Sequence, residues 1–360
     1  MTVLDERIVN GPTGYSGVDG DQEWAAEVRR LADLRGATLL AHNYQLPAIQ
    51  DVADHVGDSL ALSRIAADVT EETIVFCGVH FMAETAKILS PRKTVLMPDL
   101  RAGCPMADFV TGDALRRLKA QHPDAAVVAY VNSTAEVKAE SDVCCTSANA
   151  VQVVDSIPRD RTILFVPDRN LARYTAERSG RPYVIAGRED GEIEPGSIIA
   201  WDGYCYVHDD LVLEELAEAK RKHPRALVVI HPEARADLLA QADVVASTAK
   251  MVDIAEQNDA VIFGTERGIV DRMKARFPEK TLVPLSGAAI CGNMKVNTLA
   301  KLAWCLDHQQ HEVILDEDVR ARAERSLRRM LELSPASLTP TPAEVAMEDE
   351  TIRQGGCGCA

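Results

Sequence analysis

The sequence predicts an α/β protein made of three small parallel-sheet domains, related by pseudo-threefold symmetry around a central cavity. Three apolar runs that each end in a ring side chain give the first indication: LLAHNYQ at 39–45, VVAYVNS at 127–133 and VVIHPEA at 228–234. A turn with a hydroxyl side chain and then a helical pattern follow each run. Strands and helices alternate after that, and such alternation is typical of parallel sheets with right-handed crossovers.

The three units share one spacing as well as one order. In each unit the ring residue and the later hydroxyl residue are 17 positions apart, and the pairs are His42 and Ser59, Tyr130 and Ser147, and His231 and Thr248. A second strand comes next in every unit, at 73–78, 162–167 and 260–265, and leads through a helix to a third apolar run. Repeats of about 90–100 residues are too long for a solenoid, so they predict separate domains.

The predicted boundaries follow these units. Apolar positions at Trp24, Val28, Leu31 and Leu34, followed by Gly36, predict an amphipathic helix that opens the fold. The chain is predicted to begin with an N-terminal segment over 1–36 that contains this helix. Three α/β repeats follow, over 37–110, 111–205 and 206–295, and closing helices from 285–334 are expected to pack alongside the first repeat. A C-terminal tail covers 335–360. We expect the tail, which ends in GGCGCA, to be mobile.

Composition excludes several classes of partner. Among 360 residues there are 39 Lys and Arg against 55 Asp and Glu, a formal net charge of −16, which argues against nucleic acid. The N-terminus lacks the pattern of a signal peptide, and no apolar run approaches the roughly 18 residues of a membrane span. We therefore expect a cytoplasmic protein without membrane contact, whose nine cysteines are free thiols, metal ligands or nucleophiles.

The repeated side chains predict a binding site for anions. Ligands of open α/β sheets bind beyond the carboxyl ends of the strands, where the three ring residues lie. Helix N-termini offer free N–H groups and a positive dipole to anions, so the hydroxyls of Ser59, Ser147 and Thr248 suit a substrate with several carboxylates or phosphates. The alternative is that these hydroxyls are only N-caps of their helices.

Three cysteines recur once per unit, after a strand and a turn that contains glycine: Cys104, Cys205 and Cys291. A single buried cysteine would be interpreted as a small apolar residue, but three in matching positions predict one metal site. A zinc ion with an open position and a [4Fe–4S] cluster with one open iron both agree with three thiolates. The other cysteines have simpler interpretations: core for Cys77 and Cys305, packing near the site for Cys144 and Cys145, and a tail pair for Cys357 and Cys359.

These motifs resemble the quinolinate synthase family of bacterial NAD biosynthesis. The matching segments lie in family order over about residues 20–305 and include AHNYQ, DVADHVGDSLALS, MPDLRAGCPMAD, YVNSTAEVKAESDVCCTSANA, WDGYCYVH, VIHPEA, ASTAKM, GTERG and CGNMKVNTL. The resemblance implies three α/β domains around a cavity that holds a [4Fe–4S] cluster. It also implies a transferase that condenses iminoaspartate with dihydroxyacetone phosphate to quinolinate, releasing phosphate and two waters, with an open iron as Lewis acid for dehydration.

Matching by motif assigns the residues. The resemblance implies that Cys104, Cys205 and Cys291 are the cluster ligands and that catalysis falls to Tyr44, His42, Glu233 and His208. The implied substrate-binding residues are His42, Ser59, Tyr130, Asn132, Ser147, His231, Glu233 and Thr248. Transient contacts with aspartate oxidase and with cluster-assembly proteins are further expectations.

The chain departs from the family pattern at two places. Ala234 stands where family members often have a cysteine, and Leu285 and Ala288 replace the first two cysteines of a Cys-x-x-Cys-x-x-Cys motif that ends at Cys291 in some members. Two rival functions use similar features. One is an isoprenoid diphosphate reductase with three domains around a cluster, which the AHNYQ and HPE motifs argue against. The other is an iron–sulfur sensor, for which the sequence shows no output module.

Overall fold

The structure, a computed structural model, describes residues 20–188 and 193–334. The predictions for residues 1–19 and for the tail over 335–360, with Cys357 and Cys359, lie outside the described residues. The predicted opening helix is present as α1 (Asp21–Arg35). It ends at Gly36, whose φ of +55° lets its N–H bond to the carbonyls of Ala32 and Asp33.

Each domain alternates strands with helices, as predicted. The first contains β1 (Ala37–His42), α2 (Pro47–Val52), β2 (His55–Gly57), α3 (Ser59–Asp68), β3 (Thr73–Cys77), α4 (His80–Leu89) and β4 (Thr94–Leu96). The second contains α5 (Gly112–Gln121), β5 (Ala126–Tyr130), α6 (Ala135–Ala139), β6 (Val143–Cys145), α7 (Ala150–Asp155), β7 (Ile163–Val166), α8 (Arg169–Ser179), β8 (Tyr183–Ile185) and β9 (Ile198–Ala200).

The third domain repeats the pattern and two long helices close the chain. Its elements are α9 (Tyr206–Asp209), α10 (Leu213–Lys222), β10 (Leu227–Ile230), α11 (Ala236–Leu239), β11 (Val244–Val245), α12 (Thr248–Gln257), β12 (Ala260–Gly264), α13 (Arg267–Arg276) and β13 (Thr281–Pro284). The closing helices are α14 (Leu299–His308) and α15 (Glu317–Leu333).

The three sheets have one strand order. The order is β2-β1-β3-β4 in the first sheet and β11-β10-β12-β13 in the third. The second sheet has the equivalent order β6-β5-β7-β9, and β8 is added at its edge beside β9. All strand pairs in these sheets are parallel. The predicted α/β class with three parallel sheets is confirmed, and the rotation axis that would relate the domains stays a prediction.

Burial explains why the central strands are so apolar. Every residue of β1 and β5 is buried, because helices cover both faces of a parallel sheet. Polar residues are therefore placed where the strands end, and β1 and β5 end in His42 and Tyr130. The residue after β10 is His231. The shared topology thus places these three side chains at the carboxyl edges of their sheets.

The two closing helices pack on different domains. Helix α14 shares a core with α1 and the first sheet, through residues such as Leu302 and Leu306. Helix α15 contributes Ala323, Leu327 and Met330 to a core that belongs mainly to the second domain and also includes Leu60, Ile88 and Leu89 of the first repeat, beside which we expected this helix. The three residues of α15 form an apolar stripe at i, i+4 and i+7 that faces α6 and β6 of the second domain and also contacts α4 of the first. Among the described residues, no helix is both long and apolar enough to cross a membrane.

Candidate functional site

One cavity lies where the carboxyl ends of the three sheets meet. Its lining includes every side chain that the sequence singled out: His42, Tyr44, Ser59, Cys104, Tyr130, Asn132, Ser147, Cys205, His208, His231, Glu233, Thr248 and Cys291. Residues that are up to about 250 positions apart in the chain therefore share one site.

The three predicted ligand cysteines have one local structure. Each begins a short helical turn: Cys104 before Ala107–Phe109, Cys205 at the N-cap of α9 and Cys291 before Met294–Val296. In every case the backbone N–H three residues later, that of Ala107, His208 or Met294, acts to lower the pKa of the thiol against the effect of burial. The sulfur atoms therefore have donors that stabilise negative charge.

Burial and neighbouring negative charge disfavour the ionised form of these thiols. Each of the three cysteines is half-buried at the cavity. Burial, with added repulsion from Cys291 and Glu233, raises the pKa of Cys104 to about 12. Burial and the charges of Glu233, Cys104 and Cys291 likewise raise the pKa of Cys205. Adjacent thiolates are stabilised by a cation, and binding of that cation releases their protons.

The other described cysteines lie in apolar cores, in agreement with their predicted interpretations. Cys77, Cys144, Cys145 and Cys305 are fully buried. The thiol of Cys144 donates to Oγ of Ser326 in α15 at 3.3 Å, which attaches the closing helix to the second sheet. These thiols have structural positions, and none of them lines the cavity.

The turns after β1 and β10 orient two imidazoles in the same way. Nδ1 of His42 accepts the backbone N–H of Tyr44 at 3.1 Å, and Nδ1 of His231 accepts that of Glu233 at 3.4 Å. A neutral ring whose Nδ1 is an acceptor carries its proton on Nε2. Each turn therefore fixes the tautomer whose Nε2–H is a donor. Two residues after the imidazole, the first turn has the phenol of Tyr44 and the second has the carboxylate of Glu233.

A line of polar contacts along the cavity wall joins the three domains. Tyr130 Oη donates to Glu233 Oε1 at 2.5 Å, and Glu233 Oε2 lies 2.7 Å from Nδ1 of His208, although the angle there is not that of a hydrogen bond. Nε2 of His208 contacts Oγ1 of Thr265 at 3.1 Å, and Tyr44 Oη is 2.7 Å from the same hydroxyl. Two phenols are thus connected through one carboxylate and one imidazole.

Burial and charge set the protonation states along this line. Burial lowers the pKa of His42 and of His231 to about 3. Burial raises the pKa of Glu233, but the neighbouring His231 and His208 and the bond from Tyr130 outweigh it and lower the pKa to about 2. Burial raises the pKa of Tyr44 well above 10, with repulsion from Glu233 added. At neutral pH the site therefore holds the ionised carboxylate of Glu233 beside the neutral imidazoles of His42 and His231 and the neutral phenol of Tyr44.

The three hydroxyls are not the caps of their helices. Ser59 is the first residue of α3, but the N-cap is Asp58, whose carboxylate accepts the N–H of Ala61 at 2.9 Å. Thr248 begins α12 after the N-cap Ser247. Ser147 lies in the turn before α7. The N-cap of α7 is Asn149, so the alternative that the three hydroxyls serve only as N-caps is wrong for Ser59, Ser147 and Thr248.

Several site residues escaped the sequence analysis. Asp58 and Thr146 line the cavity, and Thr265 binds both Tyr44 and His208. Thr265 directly follows β12, the next strand after β10 in its sheet, so it lies at the same carboxyl edge. The repeated ring residues mark only the end of the first strand in each unit, so they do not indicate side chains at the ends of the other strands. Inspection of every parallel strand end would have found Thr265.

A second set of possible ligands lies within the same cavity. Cys205, His208 and Glu233 each offer one ligand atom, and these atoms lie within 4.8 Å of one another. Thiolate, imidazole and carboxylate are ligands that zinc accepts. Cys205 belongs both to this group and to the predicted set of three cysteines.

A cavity in which proton donors and acceptors lie beside several thiols belongs to α/β enzymes that act on small polar molecules. The particular family follows from comparison with known sequences. Residues 26–332 match the family model described as Quinolinate synthetase A protein, and the chain belongs to that family.

Curated relatives agree with this family. The chain is 49% identical over 348 residues to a quinolinate synthase of Mycobacterium tuberculosis, covering 92% of this chain and 96% of that protein. It is 51% identical over 318 residues to a quinolinate synthase of Desulforudis audaxviator, covering 88% of this chain and 100% of that protein. It is 47% identical over 346 residues to a quinolinate synthase of Mycobacterium leprae, covering 92% and 94%.

Proposed function

We propose that this protein is a quinolinate synthase that condenses iminoaspartate with dihydroxyacetone phosphate, releasing phosphate and two waters. The observation that carries the proposal is the single cavity at the junction of three domains, which contains three thiols together with hydroxyl, imidazole, phenol and carboxylate groups.

The anionic substrates suit the helix starts in the cavity. Iminoaspartate carries two carboxylates and dihydroxyacetone phosphate carries a phosphate. Ser59 and Thr248 begin ten-residue helices whose dipoles and free N–H groups favour anions, and Ser147 lies in the turn before α7. The neutral Nε2–H groups of His42 and His231 add donors that bring no charge. These groups bind the substrate oxygens in the proposed complex.

Proton transfer in the proposed reaction needs a group that accepts a proton and a group that donates one. Glu233 is ionised and accepts a hydrogen bond from Tyr130, so it is the base of the site. Tyr44 keeps its proton at neutral pH and is therefore a donor to a carbonyl or hydroxyl oxygen. His208 lies between these two residues, with Nδ1 toward Glu233 and Nε2 toward Thr265, and connects them.

Cys104, Cys205 and Cys291 would hold a [4Fe–4S] cluster in this proposal. Three thiols that each face a backbone N–H at one cavity, with no fourth cysteine lining it among residues 20–188 and 193–334, fit a cluster that leaves one iron free of protein thiolate. When bound, the cluster supplies a Lewis acid for loss of a hydroxyl group. The second candidate is a single divalent metal ion at Cys205, His208 and Glu233, favoured by the proximity of their ligand atoms.

Purification under anaerobic conditions tests the proposal. We expect about four irons and four sulfides per chain, a Mössbauer spectrum of a [4Fe–4S] cluster, and quinolinate from dihydroxyacetone phosphate with iminoaspartate generated in place from oxaloacetate and ammonia. Serine at position 104, 205 or 291 should remove both the cluster and the product. Cys305→Ser, in the α14 core, is the matched control that keeps both.

Other results would separate the candidates. Zinc without sulfide, lost in His208→Ala but retained in Cys104→Ser, would replace the cluster by the single metal ion. A cluster without product would contradict the synthase. The cytoplasmic location and the transient contacts with aspartate oxidase and cluster-assembly proteins stay predictions, supported by the family resemblance.

A further inference from the structure

Glu266 is a fully buried carboxylate behind the cavity wall, between β12 and α13. Its Oε2 accepts the backbone N–H of Gly268 at 2.6 Å and so caps α13. Its Oε1 accepts the backbone N–H of Cys291 at 3.1 Å and lies 3.1 Å from Nζ of Lys295. One carboxylate therefore holds the residue that brings the third thiol to the cavity.

Lys295 extends this connection to the first domain. Its Nζ pairs with Glu266 and donates to the backbone carbonyl of Tyr44 at 2.5 Å. Its backbone N–H bonds to the carbonyls of Cys291 and Gly292 at 3.3 and 3.1 Å, so Lys295 belongs to the same short turn as the thiol. A displacement of this pair would therefore reach both Cys291 and Tyr44.

The packing around the pair leaves little freedom. A Cβ atom on Gly268 would lie 2.5 Å from Nζ of Lys295 and 2.7 Å from Oε2 of Glu266. The backbone N–H of Arg267 also bonds to the carbonyl of Ala289 at 2.8 Å, which ties the segment before Cys291 to the start of α13. Atoms in such close contact transmit a shift instead of absorbing it.

The neighbouring residue in the chain acts on the same tyrosine. Oγ1 of Thr265 is 2.7 Å from Tyr44 Oη. Two consecutive residues after β12 therefore fix Tyr44 at both ends, Thr265 directly at the hydroxyl and Glu266 through Lys295 at the carbonyl.

We propose that Glu266 and Lys295 are positioning residues that fix the Tyr44 turn and the Cys291 turn relative to each other. The inference rests on the proposed function for what the phenol and the thiol do, and on the described contacts for how they are joined. The pair holds no substrate. Its effect is on the distance between a proton donor and a metal ligand that belong to different domains.

Lys295→Met removes the ammonium and keeps the length of the side chain. We expect kcat to fall about 10²-fold, because small displacements of catalytic groups have effects of that size. KM and the iron content should change less than about threefold, since Glu266 still binds the N–H of Cys291. Lys295→Arg should restore part of kcat. Lys119→Met is the matched control: Lys119 bonds to Glu140 outside the cavity, so its removal should leave kcat unchanged.

The unpaired Glu266 could itself unfold the Lys295→Met protein. Glu266→Gln and the double variant address this, because the amide restores neutrality. If the two residues act as one link, the double variant should be no slower than the slower single variant. A full additive loss of kcat in the double variant would overturn the proposal, as would a Lys295→Met enzyme with unchanged kcat.

Hydrogen exchange of the anaerobically purified protein gives a readout that does not depend on activity. We expect segments 42–46 and 288–295 both to exchange about tenfold faster in Glu266→Gln and in Lys295→Met, but not in Lys119→Met. Faster exchange in 288–295 alone would overturn the link to Tyr44. If the unchanged chain made no quinolinate, the proposed function would fail, and the exchange data would still decide whether the two turns are joined.

Discussion

The turns after β1 and β10 have the same backbone arrangement but opposite chemistry. In both, an imidazole accepts the N–H of the residue two positions later, and that residue is Tyr44 in one turn and Glu233 in the other. Burial raises the pKa of the phenol, whereas His231, His208 and Tyr130 overcome burial and lower the pKa of the carboxyl to about 2. At neutral pH the phenol of Tyr44 therefore keeps its proton, whereas the carboxyl of Glu233 is ionised.

The second domain offers a third version of this turn. There the ring residue is Tyr130, and Asn132 occupies the position of the phenol and the carboxylate. Tyr130 donates its hydrogen bond to Glu233 of the third domain, so its role depends on a neighbour that its own repeat lacks. The repeated fold therefore determines where side chains lie, and the residue type at each place determines what they do.

Removal of the acceptor should have the largest effect. Glu233→Gln replaces the only described carboxylate that contacts both Tyr130 and His208 with a neutral amide. We expect kcat for quinolinate formation to fall about 10³-fold, within the range for loss of a general base, while the iron content is kept. Glu215→Gln is the matched control, because Glu215 accepts a hydrogen bond from Ser286 outside the cavity. A Glu233→Gln enzyme within tenfold of the unchanged kcat would remove Glu233 as the base.

Removal of the donor should have a smaller effect. Tyr44→Phe takes one oxygen from the turn after β1 and breaks the contact with Thr265. We expect kcat to fall about 10²-fold and the free energy of unfolding to fall by about 1 kcal/mol, the contribution of one hydrogen bond. Tyr183→Phe loses a phenol bond to the carbonyl of Arg169, so it controls for stability alone. Near-normal turnover of folded, cluster-containing Tyr44→Phe would rule out an essential proton role.

The two imidazoles should make stability depend on pH. The pKa of His42 and of His231 is lowered from 6.5 to about 3 by burial. Their neutral forms stabilise the folded protein above pH 6.5, and this stability is lost as the pH falls toward 3, because the unfolded chain binds the protons first. Each imidazole should lower the free energy of unfolding by about 2 kcal/mol between pH 7 and 5.

Urea unfolding at several pH values tests this dependence. His42→Gln and His231→Gln should each reduce the slope of unfolding free energy against pH between 7 and 5. His308→Gln is the matched control for the substitution itself, because His308 is exposed on α14 and lies outside the cavity. Equal slopes for all three variants and the unchanged chain would mean that the two imidazoles titrate normally.

The sequence predicted what local patterns determine. A ring residue at a strand end and a hydroxyl 17 positions later identified both sides of the cavity in each domain, because parallel topology brings those places to one edge. The contacts between domains could not be predicted in this way. His208 and Thr265 meet Tyr44 across separations of 164 and 221 residues, and no local periodicity encodes such a contact.

The position of α15 shows the same limit. Its apolar stripe predicts an amphipathic helix, but a stripe does not specify which domain covers it. The protonation states were also beyond the sequence, because neutral histidines of the kind found at positions 42 and 231 result from burial in a finished cavity.

The smallest effects should come from the hydroxyls that the three domains share. Ala at position 59, 147 or 248 should raise KM for one substrate about tenfold, because each removes one hydrogen bond to an anion. Melting temperature should hardly change, since Asp58 and Ser247 are the N-caps of α3 and α12. Asp316→Ala is the control for true cap loss: its carboxylate accepts the N–H of Val319, and stability should fall by about 1 kcal/mol with KM unchanged. A lower melting temperature with unchanged KM in the hydroxyl variants would restore a purely structural role for these residues.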